Sequence, residues 1–420
     1  MKLSFLVEEN YEVLALFRLL IGINASMTKQ MGKGLAQQKI LTRLELEERE
    51  FNNLASFASF AQKAERKFPE NPDNFRTAFA RDRARIIHAK SFRRLAGKTQ
   101  VFVAHTGDHF RTRLTHTLEV AQIARELARS LRVNEDLAEA IALAHDLGHT
   151  PFGHAGEEQL NQLVAPYGLT FEHNQQSMRL MTQLEKKYVN FSGLNLTSAV
   201  LNGLAKHKSP FDQTDLTLTK LPSLEAQIVN LADEIAYLNH DLDDGLRAKI
   251  FDHQDLAQLN LWCAAKAQVN RNLSLEAWNH RVVSSLINLL VTDLLQTTSD
   301  NLQKFQITTL AEIQKLTHPL ATFSQALQKD LTVLRSFLKN NFYANQAVDQ
   351  HSQRGRVIIQ QIFEFLKKRP DSIPKQFLIE HSADPKIQII TDFIAGMTDK
   401  YATNFLANLT QQNLPQNSES

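Results

Sequence analysis

The sequence predicts an all-α protein. Glycine and proline are scarce, at 14 and 11 of 420 residues, although turn-rich β architectures use many of both. Apolar residues recur at intervals of three and four along most of the chain, which is the spacing of a helix with one buried face. Residues 99–103, Thr-Gln-Val-Phe-Val, are the exception and have the composition of a strand. We therefore expect a helical core at about residues 70–245, followed by a C-terminal helical lobe at 246–410.

Helix and turn signals justify these elements in order. Residues 40–68 form an amphipathic stretch that Pro69 ends, and Asn-Pro-Asp at 71–73 is a turn signal. Thr-Pro-Phe-Gly at 150–153 marks a break, after which the helical pattern restarts. The same periodicity predicts helices at residues 115–131, 135–147, 154–164 and 223–242, and breaks in the lobe near Pro319, Pro370 and Pro374.

The two ends of the chain are expected to carry no chemistry. Residues 1–69 are interpreted as an N-terminal helical extension, with Met27 and Met31 as alternative starts of the chain. The apolar run at 11–23 is too short to span a bilayer, and Arg18 interrupts it, so it fits neither a membrane helix nor a signal peptide. Residues 411–420 are polar and are expected to form a disordered tail.

Charge and cysteine content exclude several classes of protein. The formal net charge is only +2, so no global field calls for a nucleic-acid or membrane partner. Cys263 is the single cysteine, which excludes an intramolecular disulfide and a cysteine-rich zinc site. The reducing cytoplasm is the compartment that fits this usage.

Two histidines and two aspartates form a candidate metal site. They are His116, the pair His145-Asp146, and Asp233, each in a segment of helical periodicity. Two imidazoles and two carboxylates are a mixed nitrogen and oxygen set, suited to a catalytic divalent cation that keeps open positions for water. The competing interpretation is that they are separate capped or paired residues of the core. The polar residues that recur around the His-Asp pair favour the metal site.

Helical spacing places further polar side chains beside these residues. Arg113 lies one turn before His116, so a fixed positive charge and a metal ligand share one helix face. That arrangement suits a metal that acts on phosphate. His154 and Glu157 repeat the same spacing just after the break.

The segment after Asp233 carries a polar stripe of its own. Tyr237 and Asp241 follow at intervals of four, so one helix would present a ligand, a phenol and a second carboxylate to one cleft. A buried core aromatic is an equally simple explanation of Tyr237. For Asp241 the competing interpretation is a charge on the helix surface.

A basic cluster precedes the candidate metal site. Ten basic and two acidic residues over residues 76–113 of a near-neutral chain indicate a bound polyanion such as a triphosphate. Surface positions and ion pairs would account for about half of them, and no glycine-rich phosphate loop is present. The basic residues are Arg76, Arg81, Arg83, Arg85, Lys90, Arg93, Arg94, Lys98, Arg111 and Arg113.

The motifs around these residues resemble the HD-domain deoxynucleoside triphosphate triphosphohydrolases, most closely the bacterial dGTPase-like group. The resemblance covers about residues 70–405 and is far more specific than an isolated His-Asp pair. It is weaker at residues 392–399, Asp-Phe-Ile-Ala-Gly-Met-Thr-Asp. Its strongest segments are Arg-Asp-Arg at 81–83, Phe-Arg-Arg-Leu at 92–95, Arg-Thr-Arg-Leu-Thr-His-Thr-Leu-Glu-Val-Ala at 111–121, Ala-Leu-Ala-His-Asp-Leu-Gly-His-Thr-Pro-Phe-Gly-His-Ala-Gly-Glu at 142–157, Phe-Glu-His-Asn at 171–174, Gly-Leu-Asn-Leu-Thr at 193–197 and Leu-Ala-Asp-Glu-Ile-Ala-Tyr-Leu-Asn-His-Asp-Leu-Asp-Asp at 231–244.

The resemblance implies an HD-domain helical core and hydrolysis of a dNTP, with dGTP as one candidate, to the deoxynucleoside and inorganic triphosphate. A metal-activated water would attack the α-phosphorus, and the 5′ oxygen would leave. Position by position, His116, His145, Asp146 and Asp233 match the metal ligands. The two imidazoles favour Mn²⁺ or another transition metal in this site, with Mg²⁺ accompanying the nucleotide.

The same resemblance implies roles for residues around the metal. His154 and Glu157 match a catalytic pair beside the α-phosphate, where an imidazole can protonate the departing oxygen. His173 matches another histidine close to the phosphates. A second dNTP as allosteric activator and a homotetramer or homohexamer are also implied by analogy. The residues expected to bind substrate are Arg113, Gln100, Tyr237, Asp241, Arg93 and Arg94.

Other functions stay open at this point. An HD-type 5′-nucleotidase or phosphodiesterase would use similar ligands, but a nucleotidase would release orthophosphate from a monophosphate. Guanosine tetraphosphate hydrolases and cyclic-di-GMP phosphodiesterases also use His-Asp pairs, but their respective Glu-Asp and Gly-Tyr-Pro signatures are absent. A nucleotide sensor or single-strand nucleic-acid-binding protein would predict a damaged ligand set, whereas all four ligands are present. Nucleic-acid binding remains open as a secondary property, because the basic cluster would serve it too.

Overall fold

The all-α prediction is confirmed. The computed structural model describes residues 40–100, 111–205, 220–270 and 272–412, and these ranges contain eighteen α-helices, three isolated β-bridges and no sheet. The helices are α1 (Arg43–Asn53), α2 (Ala78–Ile87), α3 (Lys90–Arg94), α4 (Arg113–Ser130), α5 (Glu135–Ala144), α6 (Gly153–Val164), α7 (His173–Arg179), α8 (Ser198–Ala205), α9 (Leu224–Arg247), α10 (His253–Leu256), α11 (Asn260–Ala267), α12 (Leu275–Lys304), α13 (Leu310–Lys315), α14 (Gln325–Leu338), α15 (Gln346–Lys368), α16 (Lys375–Glu380), α17 (Lys386–Ala395) and α18 (Asp399–Gln412). Short 3₁₀ segments lie at Ala61–Lys63, Leu95–Gly97, Ala165–Tyr167 and Pro370–Ser372, and π-helical turns at Leu180–Leu184 and Lys339–Tyr343.

The helices that carry or directly precede the candidate ligands begin at capping side chains. Thr112 before α4, Asn134 before α5 and Ser223 before α9 each accept a hydrogen bond from the backbone N–H three residues later. Such caps satisfy N–H groups that have no partner within the helix, which stabilises the first turn. The start of each helix, and therefore the direction of its polar side chains, is set locally.

The described residues form two hydrophobic cores. The first joins α2, α4, α5 and α9 with α11, α12 and α14. The second joins α6 with α15, α17 and α18. Helix α6 carries His154 and Glu157, so these two residues stand on the helix that packs against the C-terminal part of the chain. The domain boundaries expected at 69, 245 and 410 stay a prediction.

The helix expected over residues 40–68 is shorter than its periodicity suggests. Helix α1 ends at Asn53, and the chain continues in extended and 3₁₀ backbone. The buried carboxylate of Glu225 accepts a hydrogen bond from the Ser59 N–H at 2.8 Å. Glu225 of helix α9 therefore accepts from a backbone N–H that would donate to a carbonyl within α1 if that helix continued.

Some sequence expectations fall on residues outside the described ranges. The strand expected at 99–103 is described only at its start, where Thr99 forms an isolated bridge with Thr112. Residues 411 and 412, which were expected to belong to a disordered tail, are the last two residues of helix α18. None of the described helices combines the length and apolar character needed to cross a bilayer. The other expectations concern residues outside the described ranges: the apolar run at 11–23, Met27, Met31, residues 101–103 and residues 413–420.

Helix α15 packs closely on the turn before α6. Phe152 and Gly153 in this turn both have left-handed backbone, with φ of 63° and 58°. A Cβ added at Gly355 of α15 would lie 2.6 Å from the Phe152 Cβ. The second core therefore holds a strained turn that begins the helix of His154.

Replacement of Gly355 by alanine should destabilise the protein by about 1–3 kcal/mol, because the added methyl group has no space against Phe152. The higher helix propensity of alanine offsets up to about 1 kcal/mol of this cost. Chemical denaturation of G355A measures the change, and Q353A, at an exposed position of the same helix, is the control. A G355A variant as stable as the wild type would show that the turn and α15 separate without cost.

Candidate metal centre and the adjoining histidine cluster

Three segments bring the four predicted metal ligands together. His116 lies in α4, the pair His145-Asp146 directly follows α5, and Asp233 lies within α9. His116 Nε2 is 3.0 Å from Asp233 Oδ1, and His145 Nε2 is 3.6 Å from the same oxygen and 3.5 Å from Asp146 Oδ1. All four side chains are buried. We call these four residues the ligand cluster.

The ligand cluster fits a divalent metal ion. Donor atoms of His116, His145 and Asp233 lie within 4.8 Å of one another, and Asp146 Oδ2 is 3.9 Å from His116 Nε2. Two imidazoles and two carboxylates are a donor set typical of catalytic transition-metal sites. Burial would lower the pKa of His145, but Asp146 and Asp233 raise it to about 9. The cluster therefore concentrates negative charge that a cation would neutralise.

Arg113 connects the ligand cluster to the space beside it. Its Nη1 donates a hydrogen bond to Asp146 Oδ2 at 2.8 Å. Burial would raise the pKa of Asp146, but Arg113 and the neighbouring histidines hold it well below its usual range. The Nε and Nη2 atoms of Arg113 are buried and have no hydrogen-bond partner among the described residues. A buried guanidinium with two such nitrogens is suited to bind an anionic oxygen.

A second group of polar side chains adjoins the ligand cluster, and we call it the histidine cluster: His149, His154, Glu157 and His173. His149 Nε2 is 3.1 Å from Asp146 Oδ1, and the His149 ring stacks on that of His173 with centroids 3.9 Å apart. Glu157 Oε1 accepts from the backbone N–H of His173 at 2.8 Å and lies 3.0 Å from its Nδ1. The ring centroids of His154 and His149 are 5.2 Å apart. Asp146 therefore contacts both clusters.

The members of the histidine cluster differ in charge and exposure. Burial would raise the pKa of Glu157, but His173, His149 and His154 hold it well below its usual range. Burial lowers the pKa of His149 strongly, and desolvation with the nearby Arg113 lowers that of His154. His154 is the exposed member of the cluster, although the protein packed around its ring still desolvates it enough to lower its pKa. The cluster thus combines an ionised carboxylate with the imidazole of an exposed residue.

Tyr237 and Asp241, two of the residues expected to bind substrate, are buried on α9, the helix that also carries Asp233. Asp241 is 1% exposed, so its interpretation as a charge on the helix surface is wrong. The Tyr343 O–H donates to Asp241 Oδ2, and burial raises the pKa of Asp241 to about 8. Burial also raises the pKa of Tyr237, which is 7% exposed. The Oε1 atom of Gln100 is buried and has no hydrogen-bond partner within the part of the chain that the structure describes.

Most of the basic cluster is paired within the protein. Lys98 is buried and donates to the backbone carbonyls of His149 and Ala395. Arg93 and Arg94 are exposed, and the described contacts join neither of them to the ligand cluster. Ion pairs therefore account for more of the cluster than expected: Arg76 with Asp73, Arg81 and Arg85 with Glu70, Arg83 with Asp136 and Glu139, Arg111 with Asp243 and Asp244, and Arg113 with Asp146.

Some of the residues that hold these clusters in place carry no functional motif of their own in the sequence. His149 could have been found, because it lies three residues after Asp146 and so within reach of the same helical turn. Asp399 of α18 has no local signal. Its Oδ1 accepts from the Phe152 N–H at 3.0 Å and its Oδ2 from the Thr99 N–H at 3.1 Å. One C-terminal carboxylate thereby joins two segments that flank the site.

Comparison with known proteins agrees with this arrangement. The HD domain family model matches residues 113–238, which include the whole ligand cluster and histidine cluster, and a phosphohydrolase-associated domain model matches residues 321–408. A deoxyguanosinetriphosphate triphosphohydrolase-like protein of Geobacter sulfurreducens is 43% identical over 359 residues, which is 83% of this chain and 93% of that protein. Proteins with the same name from Bordetella pertussis and Rickettsia rickettsii are 44% identical over 365 residues and 42% identical over 368. These alignments cover 84% and 83% of this chain, and 94% and 96% of the two relatives.

Removal of one ligand should remove the metal. In His116→Ala or Asp233→Ala, the bound divalent metal should fall to a small fraction of the wild-type amount, because each change removes a donor atom from the ligand cluster. Elemental analysis of the purified protein measures the metal, and hydrolytic activity is followed in parallel. His318→Ala changes an exposed histidine outside the site and should leave both unchanged. Full metal content with normal turnover in either ligand variant would exclude the assignment.

Proposed function

The chain belongs to the family of deoxyguanosinetriphosphate triphosphohydrolase-like proteins, HD-domain hydrolases, and from that premise we propose that it hydrolyses a deoxynucleoside triphosphate, with dGTP as the first candidate. Water adds to the α-phosphorus, the bond between that phosphorus and the 5′ oxygen breaks, and the 5′ oxygen takes up a proton. The products are the deoxynucleoside and inorganic triphosphate. The observation that carries the proposal is the direct contact of the ligand cluster with the histidine cluster through Asp146.

His116, His145, Asp146 and Asp233 would hold the metal. A divalent cation bound there would supply the Lewis acidity that activates water and polarises phosphate oxygens. Two imidazole donors favour Mn²⁺ or another transition metal at this position, whereas Mg²⁺ would accompany the nucleotide phosphates.

Arg113 is proposed to bind the phosphate chain. Its Nη1 is engaged by Asp146, while Nε and Nη2 remain for phosphate oxygens, so one guanidinium couples the ligand cluster to the substrate. The exposed Arg93 and Arg94 remain candidates for the β- and γ-phosphates. The pairing of most other cluster arginines speaks against nucleic-acid binding as the main function, because the ion pairs among the described residues of the basic cluster already neutralise these cations.

His154 is proposed as the general acid that protonates the 5′ oxygen. It is the exposed member of the histidine cluster, and Glu157 on the same helix is ionised beside it. Desolvation lowers the pKa of His154, but the negative charge of a bound triphosphate favours the protonated imidazole. His173, whose ring Nδ1 and backbone N–H both approach Glu157, is proposed to keep that carboxylate in position.

Gln100, Tyr237 and Asp241 are proposed to bind the sugar. The buried carboxyl of Asp241 has one oxygen engaged by Tyr343, so its other oxygen can meet a sugar hydroxyl. The buried Oε1 atom of Gln100 has no partner among residues 40–100, 111–205, 220–270 and 272–412, and it can accept a hydrogen bond from the substrate. Crowding by Gln100 and Tyr237 at the 2′ position would then disfavour ribonucleotides.

The compartment, the oligomeric state and the activator are proposed by analogy with the family. We place the reaction in the cytoplasm and expect a homotetramer or homohexamer, with a second dNTP as an activator. Exposed apolar side chains at Leu44, Phe51 and Phe75 support an assembly, since they would lose contact with water in an interface.

The His154→Ala variant should separate chemistry from binding. It should keep its metal and bind dNTP with unchanged affinity, while kcat falls about 10²–10⁴-fold, the usual contribution of general acid–base catalysis. Arg113→Lys should instead raise KM as well, because one ammonium cannot replace two guanidinium nitrogens. Steady-state kinetics, with substrate binding measured separately, provides the readout. The opposite pattern in the two variants would mean that their roles are exchanged.

The product identifies the bond that is broken. Incubation of dGTP with the protein and Mn²⁺ or Mg²⁺ should give deoxyguanosine and intact triphosphate in equal amounts, with no mono- or diphosphate intermediate, because attack at the α-phosphorus releases the chain whole. Chromatography of the digest, repeated with each dNTP alone and in pairs, makes the measurement. Orthophosphate released from a deoxynucleoside monophosphate would support the nucleotidase alternative, and pyrophosphate as the first product would exclude our proposal.

A further inference from the structure

His240 lies between a predicted metal ligand and a carboxylate. It is on α9, two turns after Asp233, and its Nδ1 is 3.4 Å from the Nδ1 of His116. The two rings meet edge to face, with centroids 5.3 Å apart. The other ring nitrogen of His240, Nε2, contacts the carboxylate of Glu119 on α4. The three side chains therefore form a continuous path from the ligand cluster to the edge of the first core.

This geometry constrains the position of hydrogen atoms when a metal is bound. His116 Nε2 is the atom that faces the ligand cluster, since it is 3.0 Å from Asp233 Oδ1. A metal ligand needs a lone pair on that atom, so a neutral His116 must carry its hydrogen on Nδ1. The Nδ1 of His240 is the acceptor that this hydrogen meets. His240 must then carry its own hydrogen on Nε2, where the Glu119 carboxylate accepts it.

We propose that Glu119 and His240 form a relay that fixes the tautomer and orientation of His116 for metal binding. Both are positioning residues, because they contact His116 or each other and not the metal. The inference rests on the proposed metal site and adds to it two residues outside the ligand cluster. Carboxylates and carbonyls that orient a ligating imidazole commonly alter metal affinity about 10–100-fold.

Arg111 holds the outer end of the relay. Its Nη1 donates to the backbone carbonyl of His240 at 3.3 Å, and its Nε is 4.0 Å from Glu119 Oε1. The Glu119 side chain is 45% exposed, whereas that of His240 is 4% exposed. A change at Glu119 therefore alters the relay with little effect on packing, which makes it the safer variant to test.

The test measures Mn²⁺ affinity of the full-length protein by competition with a chelating dye, for the wild type, E119A, H240F and the double variant. H240F removes both ring nitrogens and should raise the Kd for Mn²⁺ about 10–100-fold. E119A should raise it several-fold in the wild-type background and have no further effect in H240F, because the relay is then already broken. E126A, at another glutamate of α4 that hydrogen-bonds to Gln122, is the matched control and should leave the Kd unchanged.

The outcomes separate the relay from the metal site itself. A wild-type protein without Mn²⁺ binding, or His116→Ala with full binding, would overturn the metal site and the relay together. A wild type that binds Mn²⁺ while H240F binds equally well would overturn the relay alone, as would equal effects of E119A in both backgrounds. If H240F does not fold, judged by its thermal unfolding, the comparison of E119A with E126A decides the question.

Discussion

Asp146 is the residue on which both clusters depend. Its carboxylate is 4% exposed and is contacted by Arg113 at 2.8 Å and His149 at 3.1 Å, with His145 at 3.5 Å. A buried carboxylate without such partners would cost several kcal/mol, so its charge holds α4, the end of α5 and the following loop together. The same contacts place the two clusters side by side. A structural requirement, the pairing of one buried charge, thereby sets the geometry of the site.

The C-terminal helices hold segments of the site in position. Asp399 accepts hydrogen bonds from the backbone N–H groups of Phe152 and Thr99, and Lys98 donates one to the backbone carbonyl of Ala395. These contacts join the C-terminal helices to segments that flank the site. Burial, with Arg113 and Arg94 nearby, lowers the pKa of Lys98 to about 7. The hydrogen bond to Asp399 holds the left-handed turn at Phe152 against the C-terminal helices. The phosphohydrolase-associated segment therefore helps to orient the helix of His154 and contributes none of the residues of the two clusters.

Local spacing in the sequence was sufficient to predict which side chains share a helix face. Arg113 and His116 share a helix face, as their separation of three residues predicted, and the structure brings both to Asp146. The local sequence is a poorer guide to the role of each arginine in the basic cluster. Charge counts cannot distinguish a phosphate-binding arginine from one paired with a distant acid, and Arg83 meets Asp136 and Glu139, which lie more than fifty residues away.

By itself, the sequence determined the helical class, the chemical types of the four predicted ligands and their separation over three segments of the chain, because periodicity and side-chain chemistry are local properties. Only the tertiary structure decided which helix faces meet. The contact of His240 with Glu119 joins residues 121 positions apart, and that of Asp399 with Phe152 joins residues 247 positions apart. A helical pattern states which face of a helix is buried, but not which face of another helix lies against it. The surroundings of each predicted ligand follow from that packing.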